Sequence, residues 1–180
     1  MIIDGKKEAQ LFRDEIKKEI ESIKSKNNKV PSLSVILIGD YAPSQIYVKN
    51  KEKNAKEVGI NSKVIKYSKD VSEQEVLNKI KELNDNDAVS GILVQLPLPP
   101  QINKEKIINT INPLKDVDGF HPINVGNLSS GYNATVPCTP LGCLILIKKV
   151  EPNLSGKHAV IIGRSNLNGK PMAQLLLKEN

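Results

Sequence analysis

Apolar positions along the chain follow two alternating patterns, a helical period and short continuous runs. The helical period, with Ser44 and Thr139 as N-caps, predicts helices over Glu8–Lys26, Ser44–Val58, the segment after the capping pair Ser72 and Glu75, Lys104–Ile111, Thr139–Val150 and Lys170–Leu177. The continuous runs predict strands at Leu33–Ile38, Asn61–Tyr67, Gly91–Leu96 and His158–Ile162. Because helices and strands alternate, we expect an α/β fold with a mostly parallel sheet flanked by helices.

Two strand ends and one loop are the places where chemistry is expected. In parallel sheets ligands gather at the carboxyl ends of strands, which here are Gly39 onward and Gln95 onward. The segment Asn112–Pro137 predicts a long loop rich in Gly, Pro, Asn and Asp. Loops of this length are usually functional or disordered, and the varied DVDGFHP sequence within it favours function.

Composition narrows the class of protein. No apolar run reaches the ~18 residues of a membrane span, and the first residues do not resemble a secretory signal. Cys138 and Cys143 are too few and too close for a disulfide or a zinc site, so we expect a cytoplasmic protein without a metal. The net charge is +6, but only Arg13 and Arg164 are arginines. Phosphate clamping and base readout favour arginine forks, which argues against nucleic-acid binding.

The segment Tyr47-Val-Lys-Asn-Lys51 contains a candidate acid–base residue. Tyr47 and Lys51 are four residues apart on a predicted helix and therefore share a face. Ala55 and Val58 continue that face and mark it as the inward one. A lysine there would lose hydration, which favours proton exchange near neutral pH. Alternatively the helix is rotated, and Lys51 is solvated among the other lysines of the helix.

Two further segments offer polar groups. Gln95 ends an apolar strand just before a proline break, where it would meet a ligand or hydrogen-bond its own loop. Asp116 and Asp118 could bind a cation or a cationic ring that donates hydrogen bonds. Alternatively they belong to an Asp-Gly turn, and a metal site would require more oxygen ligands than this loop has.

The segment from Val160 to Gly169 has the order strand, glycine turn, helix that a dinucleotide phosphate loop requires. Gly163 permits a tight turn, Ser165 can offer a hydroxyl to phosphate, and the following helix N-terminus favours anions. Arg164 could meet the 2′-phosphate of NADP. The pattern alone is weak, because many strand–glycine–helix units bind nothing.

Five segments, in this order, resemble the signature sequences of the methylenetetrahydrofolate dehydrogenase/cyclohydrolase family: YVKNK, GILVQLPLP, KDVDGFHP, PCTPLG and GRSNLNGKPM. The resemblance begins at Ile3-Asp-Gly5 and covers essentially the whole chain. It implies a folate-binding α/β domain over residues 1–138, followed by the start of a Rossmann-type NADP-binding domain over residues 139–180. It also implies a homodimer that acts on tetrahydrofolate substrates.

The resemblance also implies roles for individual residues. The catalytic group comprises Lys51, Tyr47 and Gln95. The substrate-binding group comprises Tyr47, Gln95, Leu96, Pro97 and Asp118, and the cofactor-binding group comprises Gly163, Arg164 and Ser165. The implied reactions are oxidation of 5,10-methylenetetrahydrofolate with NADP and hydrolysis of the methenyl product to 10-formyltetrahydrofolate.

The sequence departs from the family pattern in two places. Asn168 stands where the family usually has an apolar residue, so packing of the cofactor loop is expected to differ. A Rossmann domain places its ribose-recognising acidic residue about 20 residues after the glycine motif, and Asn180 comes earlier than that. We therefore expect a piece of a longer gene product. Alternative functions are a folate enzyme without dehydrogenase activity and a non-catalytic folate-binding or dimer-partner module.

Overall fold

The computed structural model describes residues 2–27 and 29–179 of the chain. Its helices are α1 Gly5–Asn27, α2 Ala42–Glu57, α3 Glu73–Asp85, α4 Lys104–Thr110, α5 Pro122–Ser129, α6 Cys138–Val150 and α7 Gly169–Leu177. Its strands are β1 Ser32–Ile38, β2 Asn61–Tyr67 and β3 Gly91–Val94. The chain divides into two compact units, Lys6–Lys115 and Met1–Gly5 with Asp116–Asn180. Each unit is described by itself.

The sheet of the Lys6–Lys115 unit has the strand order β2-β1-β3, and both pairings are parallel. The α/β fold and the parallel sheet predicted from the sequence are therefore confirmed. The last five residues of the central strand β1 are buried, and Val35 and Ile36 have no exposed surface. The ladder continues past β3, since the backbone N–H of Gln95 donates to Ile36 O at 2.9 Å. Gln95 thus lies at the carboxyl edge of the sheet.

Aliphatic residues fill the core on one face of this sheet. Val76, Ile80 and Leu83 lie on one side of α3 and pack against Ile36 and Ile92 of the strands. The predicted start of α3 is confirmed, because the Ser72 hydroxyl accepts a hydrogen bond from the N–H of Glu75 at 3.2 Å. The core thereby holds the strand ends that carry the candidate site.

Two predicted N-caps are wrong, because the observed caps are Tyr41 in place of Ser44 and Pro137 in place of Thr139. Helix α2 begins at Ala42, because Pro43 already occupies its first turn. Ser44 therefore lies inside the helix, where it is buried and its hydroxyl donates to Leu96 O at 3.4 Å. Helix α6 begins at Cys138, so Thr139 also lies inside its helix. In both cases the helix begins before the residue with the strongest capping preference.

The predicted loop Asn112–Pro137 contains a helix that the apolar pattern did not indicate. Helix α5 begins at Pro122, and His121 acts as its N-cap. The His121 Nδ1 atom accepts a hydrogen bond from the N–H of Ile123 at 3.2 Å. Proline at a first helical position is a start signal, but α5 has only two buried residues, Asn124 and Leu128. Its apolar pattern is therefore too short to detect.

The predicted buried strand His158–Ile162 is wrong. The segment forms no strand, and Val160 and Ile162 are 78% and 100% exposed. A strand is stabilised by hydrogen bonds to a neighbouring strand. The described residues of its own unit, 2–5 and 116–179, include no strand with which it could pair.

Two kinds of feature are absent from the described residues, a membrane-spanning helix and a cluster of metal ligands. No helix in residues 2–27 and 29–179 is long and apolar enough to cross a membrane. In the same part of the chain, no group of three or more His, Cys, Asp or Glu side chains could hold a metal ion. Cys138 and Cys143 are both exposed and form no disulfide.

Glu73 connects α3 to α4 and makes this connection dependent on pH. Its carboxylate accepts hydrogen bonds from Lys106 Nζ at 2.8 Å and from the N–H of Asn103 at 2.6 Å. These bonds, with Lys106 contributing most, lower the pKa of Glu73 below its usual 4.5. A carboxyl whose pKa is lower in the folded protein stabilises it at pH values above the unfolded pKa. That contribution is lost as the pH falls through the folded pKa.

We therefore expect Glu73→Gln to lower the free energy of unfolding at pH 7, with the deficit shrinking as the pH falls below 4.5. Urea unfolding at several pH values measures this difference. Glu21→Gln, at an exposed position of α1, is the control and should show no such trend. A deficit for Glu73→Gln that is the same at every pH would contradict the assignment.

Candidate functional site

A lysine and a glutamine meet at the carboxyl edge of the sheet. The Lys51 Nζ atom donates a hydrogen bond to Gln95 Oε1 at 3.3 Å. Lys51 lies on α2 and Gln95 directly follows β3, so packing of the helix against the sheet brings the two side chains together. Both residues are half-buried. An ammonium group has three N–H donors, which leaves Lys51 able to donate to a substrate as well.

The face of α2 that carries Lys51 is only partly the inward one. Its buried residues are Ser44, Val48 and Ala55, and Lys51 lies between the last two. Tyr47, in contrast, is 63% exposed. From Lys51 onward, this side of α2 therefore faces inward as predicted. Tyr47 is predicted on the same side, but its ring is exposed to solvent.

The other lysines of α2 differ from Lys51 in their surroundings. Lys49 and Lys53 are exposed, and Lys56 pairs with Glu52 at 2.7 Å. The hydrogen bond from Lys56 lowers the pKa of Glu52, so this pair remains charged to lower pH. Lys51 instead contacts a neutral amide. This contact argues against the alternative in which Lys51 is one of several solvated lysines.

The backbone that follows Gln95 is fixed by side chains on both sides. Leu96 O accepts hydrogen bonds from Gln95 Nε2 at 2.8 Å and from the Ser44 hydroxyl at 3.4 Å. Gln95 therefore bonds its own loop, as one of its two alternatives predicts, and it also accepts from Lys51. Contact of Gln95 with a ligand stays a prediction. The Leu96–Pro97 peptide bond is cis, and Pro97 is exposed beside half-buried Leu96.

In the other unit, a buried carboxylate shapes the DVDG segment. Asp116 is 4% exposed, and its oxygens accept hydrogen bonds from the N–H of Gly119 at 3.0 Å, the N–H of His121 at 2.9 Å and Asn124 Nδ2 at 2.9 Å. The Asp-Gly turn reading is therefore correct for Asp116. Asp118 is half-buried, and it lies in the turn that the hydrogen bond between Asp116 and Gly119 closes.

The glycine of this turn has no room for a side chain. Gly119 has φ +69°, and an added Cβ would lie 2.5 Å from Thr135 O and 2.9 Å from Pro137 N. Positive φ values favour glycine, because a Cβ is disfavoured there. The turn is thus held by the Asp116 carboxylate on one side and by backbone contact on the other.

The loop from Gly163 to Gly169 closes on itself through backbone contact. Gly163 has φ +144°, and a Cβ added to Gly169 would lie 2.2 Å from Gly163 O. Inside the loop, Ser165 Oγ accepts a hydrogen bond from the N–H of Asn168, and Ser165 O accepts one from the N–H of Lys170, both at 3.1 Å. A hydroxyl that accepts one hydrogen bond can still donate its own hydrogen, so Ser165 can donate to a further acceptor.

The basic and polar groups of this loop are accessible. Arg164, Ser165 and Lys170 are exposed next to the first turn of α7. Asn168, the residue that departs from the family pattern, is exposed as well, and it is the N-cap position without a side-chain capping bond. Its backbone N–H donates to Ser165 Oγ within the loop. The different packing expected at this position stays a prediction.

Sequence reasoning missed several residues of these sites. Ser44 is predicted only as a helix cap, and no local pattern relates Asn124 to Asp116, eight residues before it. Asp116 itself is a predicted candidate, and its acceptance of the Gly119 N–H fits the turn alternative, since an Asp three residues before a Gly often accepts that N–H in a turn. Gly169 ends the predicted segment from Val160 to Gly169, but the sequence of that segment does not indicate how closely Gly169 approaches Gly163.

The predicted site residues are divided between the two units. One group lies in the Lys6–Lys115 unit and consists of Tyr47, Lys51, Gln95, Leu96 and Pro97. The other lies in the unit containing Asp116–Asn180 and consists of Asp118, Gly163, Arg164 and Ser165. Within the first group, Lys51 contacts Gln95. Within the second, the three cofactor-loop residues are consecutive.

Family models match most of the chain. The catalytic-domain model of tetrahydrofolate dehydrogenase/cyclohydrolase matches residues 3–118. The NAD(P)-binding-domain model of tetrahydrofolate dehydrogenase/cyclohydrolase matches residues 137–180. The first match contains the Lys51 and Gln95 site together with Asp118, and the second contains the Gly163 loop.

Individual relatives agree with these matches. The bifunctional protein FolD of Pelagibacter ubique (strain HTCC1062) is 66% identical over 180 residues, which are 100% of this chain and 64% of that protein. FolD of Rickettsia akari (strain Hartford) is 50% identical over 186 residues, covering 99% of this chain and 63% of that protein. The chain thus spans less than two thirds of the length of these curated relatives.

Solved structures are similar as well. The bifunctional FolD enzyme of Campylobacter jejuni superposes with a TM-score of 0.96 at 47% identity, over 99% of this chain and 64% of that one. The Trypanosoma brucei methylenetetrahydrofolate dehydrogenase-cyclohydrolase, solved with NADP cofactor and an inhibitor, gives a TM-score of 0.95 at 33% identity. That superposition covers 100% of this chain and 62% of that one.

Proposed function

Because this chain belongs to the tetrahydrofolate dehydrogenase/cyclohydrolase family, we propose that it acts in the interconversion of folate-bound one-carbon units. The proposed reactions are oxidation of 5,10-methylenetetrahydrofolate to the methenyl form with NADP, and hydrolysis of the methenyl form to 10-formyltetrahydrofolate. The hydrogen bond between Lys51 and Gln95 carries this proposal. It holds a half-buried amine at the carboxyl edge of a parallel sheet, where such folds bind ligands.

Hydrolysis requires proton transfer more than it requires activation of the substrate. The methenyl carbon is already electrophilic, so water adds to it and loses a proton. The ring then opens as one carbon–nitrogen bond breaks and the nitrogen takes up a proton. Lys51 is the proposed group that moves these protons, and Gln95 orients its amine.

Other residues are proposed to hold the substrate. Tyr47 lies one turn before Lys51 and presents an exposed aromatic ring, a suitable surface for stacking against a pterin. Leu96 and Pro97 form the backbone wall that the Gln95 and Ser44 bonds fix. Asp118 is proposed to accept hydrogen bonds from the pterin amino edge.

The Gly163 loop has the features that a dinucleotide requires. Its two glycines approach so closely that no side chain fits at Gly169, and its exposed donors adjoin a helix N-terminus. Gly163, Arg164 and Ser165 are the residues proposed to hold NADP. When bound, NADP supplies the hydride acceptor for the oxidation.

The proposal is tested by supplying 5,10-methenyltetrahydrofolate to the purified chain and following loss of its absorbance. Calorimetric titration with tetrahydrofolate measures binding separately. Hydrolysis above the spontaneous rate, together with saturable binding, is the expected result. Binding without hydrolysis would leave only the non-catalytic folate-binding alternative, and absence of both would refute the proposal.

A second candidate function is folate binding and hydrolysis without hydride transfer. It is favoured by the exposure of Val160 and Ile162, which precede the Gly163 loop and pair with no strand among residues 2–5 and 116–179. Formation of NADPH from 5,10-methylenetetrahydrofolate distinguishes the two functions, since only the bifunctional protein produces it.

We further propose the organisation that the family resemblance implies. Residues 1–138 form the tetrahydrofolate-binding catalytic domain, and residues 139–180 form the first part of the NADP-binding domain. This functional boundary differs from the one between the compact units, which lies at Lys115 and Asp116. The protein is proposed to work in the cytoplasm as a homodimer.

Arg164 is expected to select NADP over NAD. Its guanidinium is exposed directly after the turn glycine, where it can form charge-assisted hydrogen bonds with a 2′-phosphate. Arg164→Ala should lower the ratio of NADP affinity to NAD affinity by about tenfold, as measured by calorimetric titration with each dinucleotide. Lys170→Ala, which removes a neighbouring positive charge, should weaken both alike. An unchanged ratio in Arg164→Ala would show that another residue recognises the phosphate.

A further inference from the structure

The network around Asp116 connects three separate parts of its unit. The carboxylate accepts from the backbone of the turn at Gly119, from the N-terminus of α5 at His121 and from the side chain of Asn124. Asn124 extends the network, because its Oδ1 accepts from the N–H of Thr135 at 3.4 Å. Asp116, His121 and Asn124 are all at least nine-tenths buried.

These bonds determine the shape of the segment that contains Asp118. The bond from Asp116 to Gly119 closes a turn over Val117 and Asp118, and the bond to His121 fixes the start of the next helix. The opposite side of the turn lies against Thr135 and Pro137, where Gly119 has no space for a side chain. Asp118 therefore has a backbone that is held at both ends.

We propose that Asp116 is a positioning residue, whose buried carboxylate sets the conformation in which Asp118 meets the substrate. The inference rests on the proposed function, since it assigns Asp118 to a tetrahydrofolate substrate. Asp116 itself is too deeply buried to touch that substrate. Its negative charge is compensated by two backbone donors and one amide, and it lies beside the N-terminus of α5, where an anion is stabilised.

The exchange rates of two amides test the structural half of the proposal without any ligand. In Asp116→Asn, one acceptor oxygen becomes an NH2 group that faces an N–H donor. The Gly119 and His121 amides should then exchange with solvent at least about tenfold faster. Asp118→Asn should leave both rates unchanged, and so should Asp87→Asn at an exposed turn of the other unit. Unchanged rates in Asp116→Asn would overturn the proposal.

Affinity for tetrahydrofolate, measured by calorimetric titration, tests the functional half. Asp118→Asn and Asp116→Asn should each weaken binding by about tenfold. The double variant should bind no more weakly than Asp118→Asn alone, because the effect of Asp116 passes through Asp118. Additive losses would show that Asp116 acts on general stability, and would overturn the proposal.

Two further outcomes remain informative. If Asp116→Asn does not fold, Asn124→Ala removes a single donor and should produce the same changes at smaller size; normal amide rates and binding in that variant would overturn the proposal. If the unmodified chain binds no tetrahydrofolate, the proposed function fails and Asp118 loses its assigned substrate. The amide rates still decide whether Asp116 holds the turn.

Discussion

Replacing Lys51 with Met is expected to slow hydrolysis of 5,10-methenyltetrahydrofolate by about 10²–10⁴-fold, the usual contribution of a general acid–base group. Methionine retains most of the length of the lysine stem and removes the amine. The amine is the group that Gln95 holds at 3.3 Å, so its loss removes the proposed proton carrier while α2 and the sheet keep their packing. The rate is measured from the loss of methenyl absorbance at saturating substrate.

Lys49→Met is the matched control for this prediction. Lys49 lies on the same helix but is exposed, so the variant should hydrolyse the substrate at nearly the unmodified rate. Equal losses in Lys49→Met and Lys51→Met would show that only the charge of the helix matters. Near-native hydrolysis by Lys51→Met would show that Lys51 is a surface charge and that the catalytic assignment is wrong.

Much of the Lys6–Lys115 unit could be predicted because its signals are local and mutually consistent. The strands β1 and β2 match their predicted segments closely, since each is a long apolar or β-prone run between turn residues. Because β1 and β3 are parallel, their carboxyl ends lie at the same edge of the sheet. Helix α2 follows the carboxyl end of β1, so it starts at the edge where β3 ends. The contact between Lys51 and Gln95 follows from that geometry, whereas their chemical roles are still predictions.

Most of the errors occur where a local pattern depends on a partner elsewhere in the chain, and one has a local cause. His158–Ile162 has a strand sequence, but no sequence pattern indicates whether a neighbouring strand is present to pair with it. The Asp116 network likewise depends on Asn124 and Thr135, which fold back onto the turn from later in the chain. Ser44 has a strong preference for a cap, but Pro43 had already begun the helix.

Gly169→Ala is expected to destabilise the unit that contains the cofactor loop by about 1–3 kcal/mol or more, the usual cost of overpacking. The added Cβ would lie 2.2 Å from Gly163 O, 2.5 Å from Gly163 C and 2.9 Å from Arg164 N. All three are backbone atoms, so no side chain can rotate away to make room. The loop must open instead, and we expect NADP affinity to fall together with stability.

Gly142→Ala in α6 is the matched control, because the same atom is added to the same unit with an opposite expected effect. Its Cβ would meet nothing within 4 Å, and alanine is favoured over glycine within a helix by roughly 0.5–1 kcal/mol. Denaturant unfolding should therefore show a lower midpoint for Gly169→Ala and a higher one for Gly142→Ala, while NADP titration should detect a loss only in the former. If both variants shift the midpoint upward and bind NADP normally, the close approach of Gly163 and Gly169 is not a feature of the folded protein.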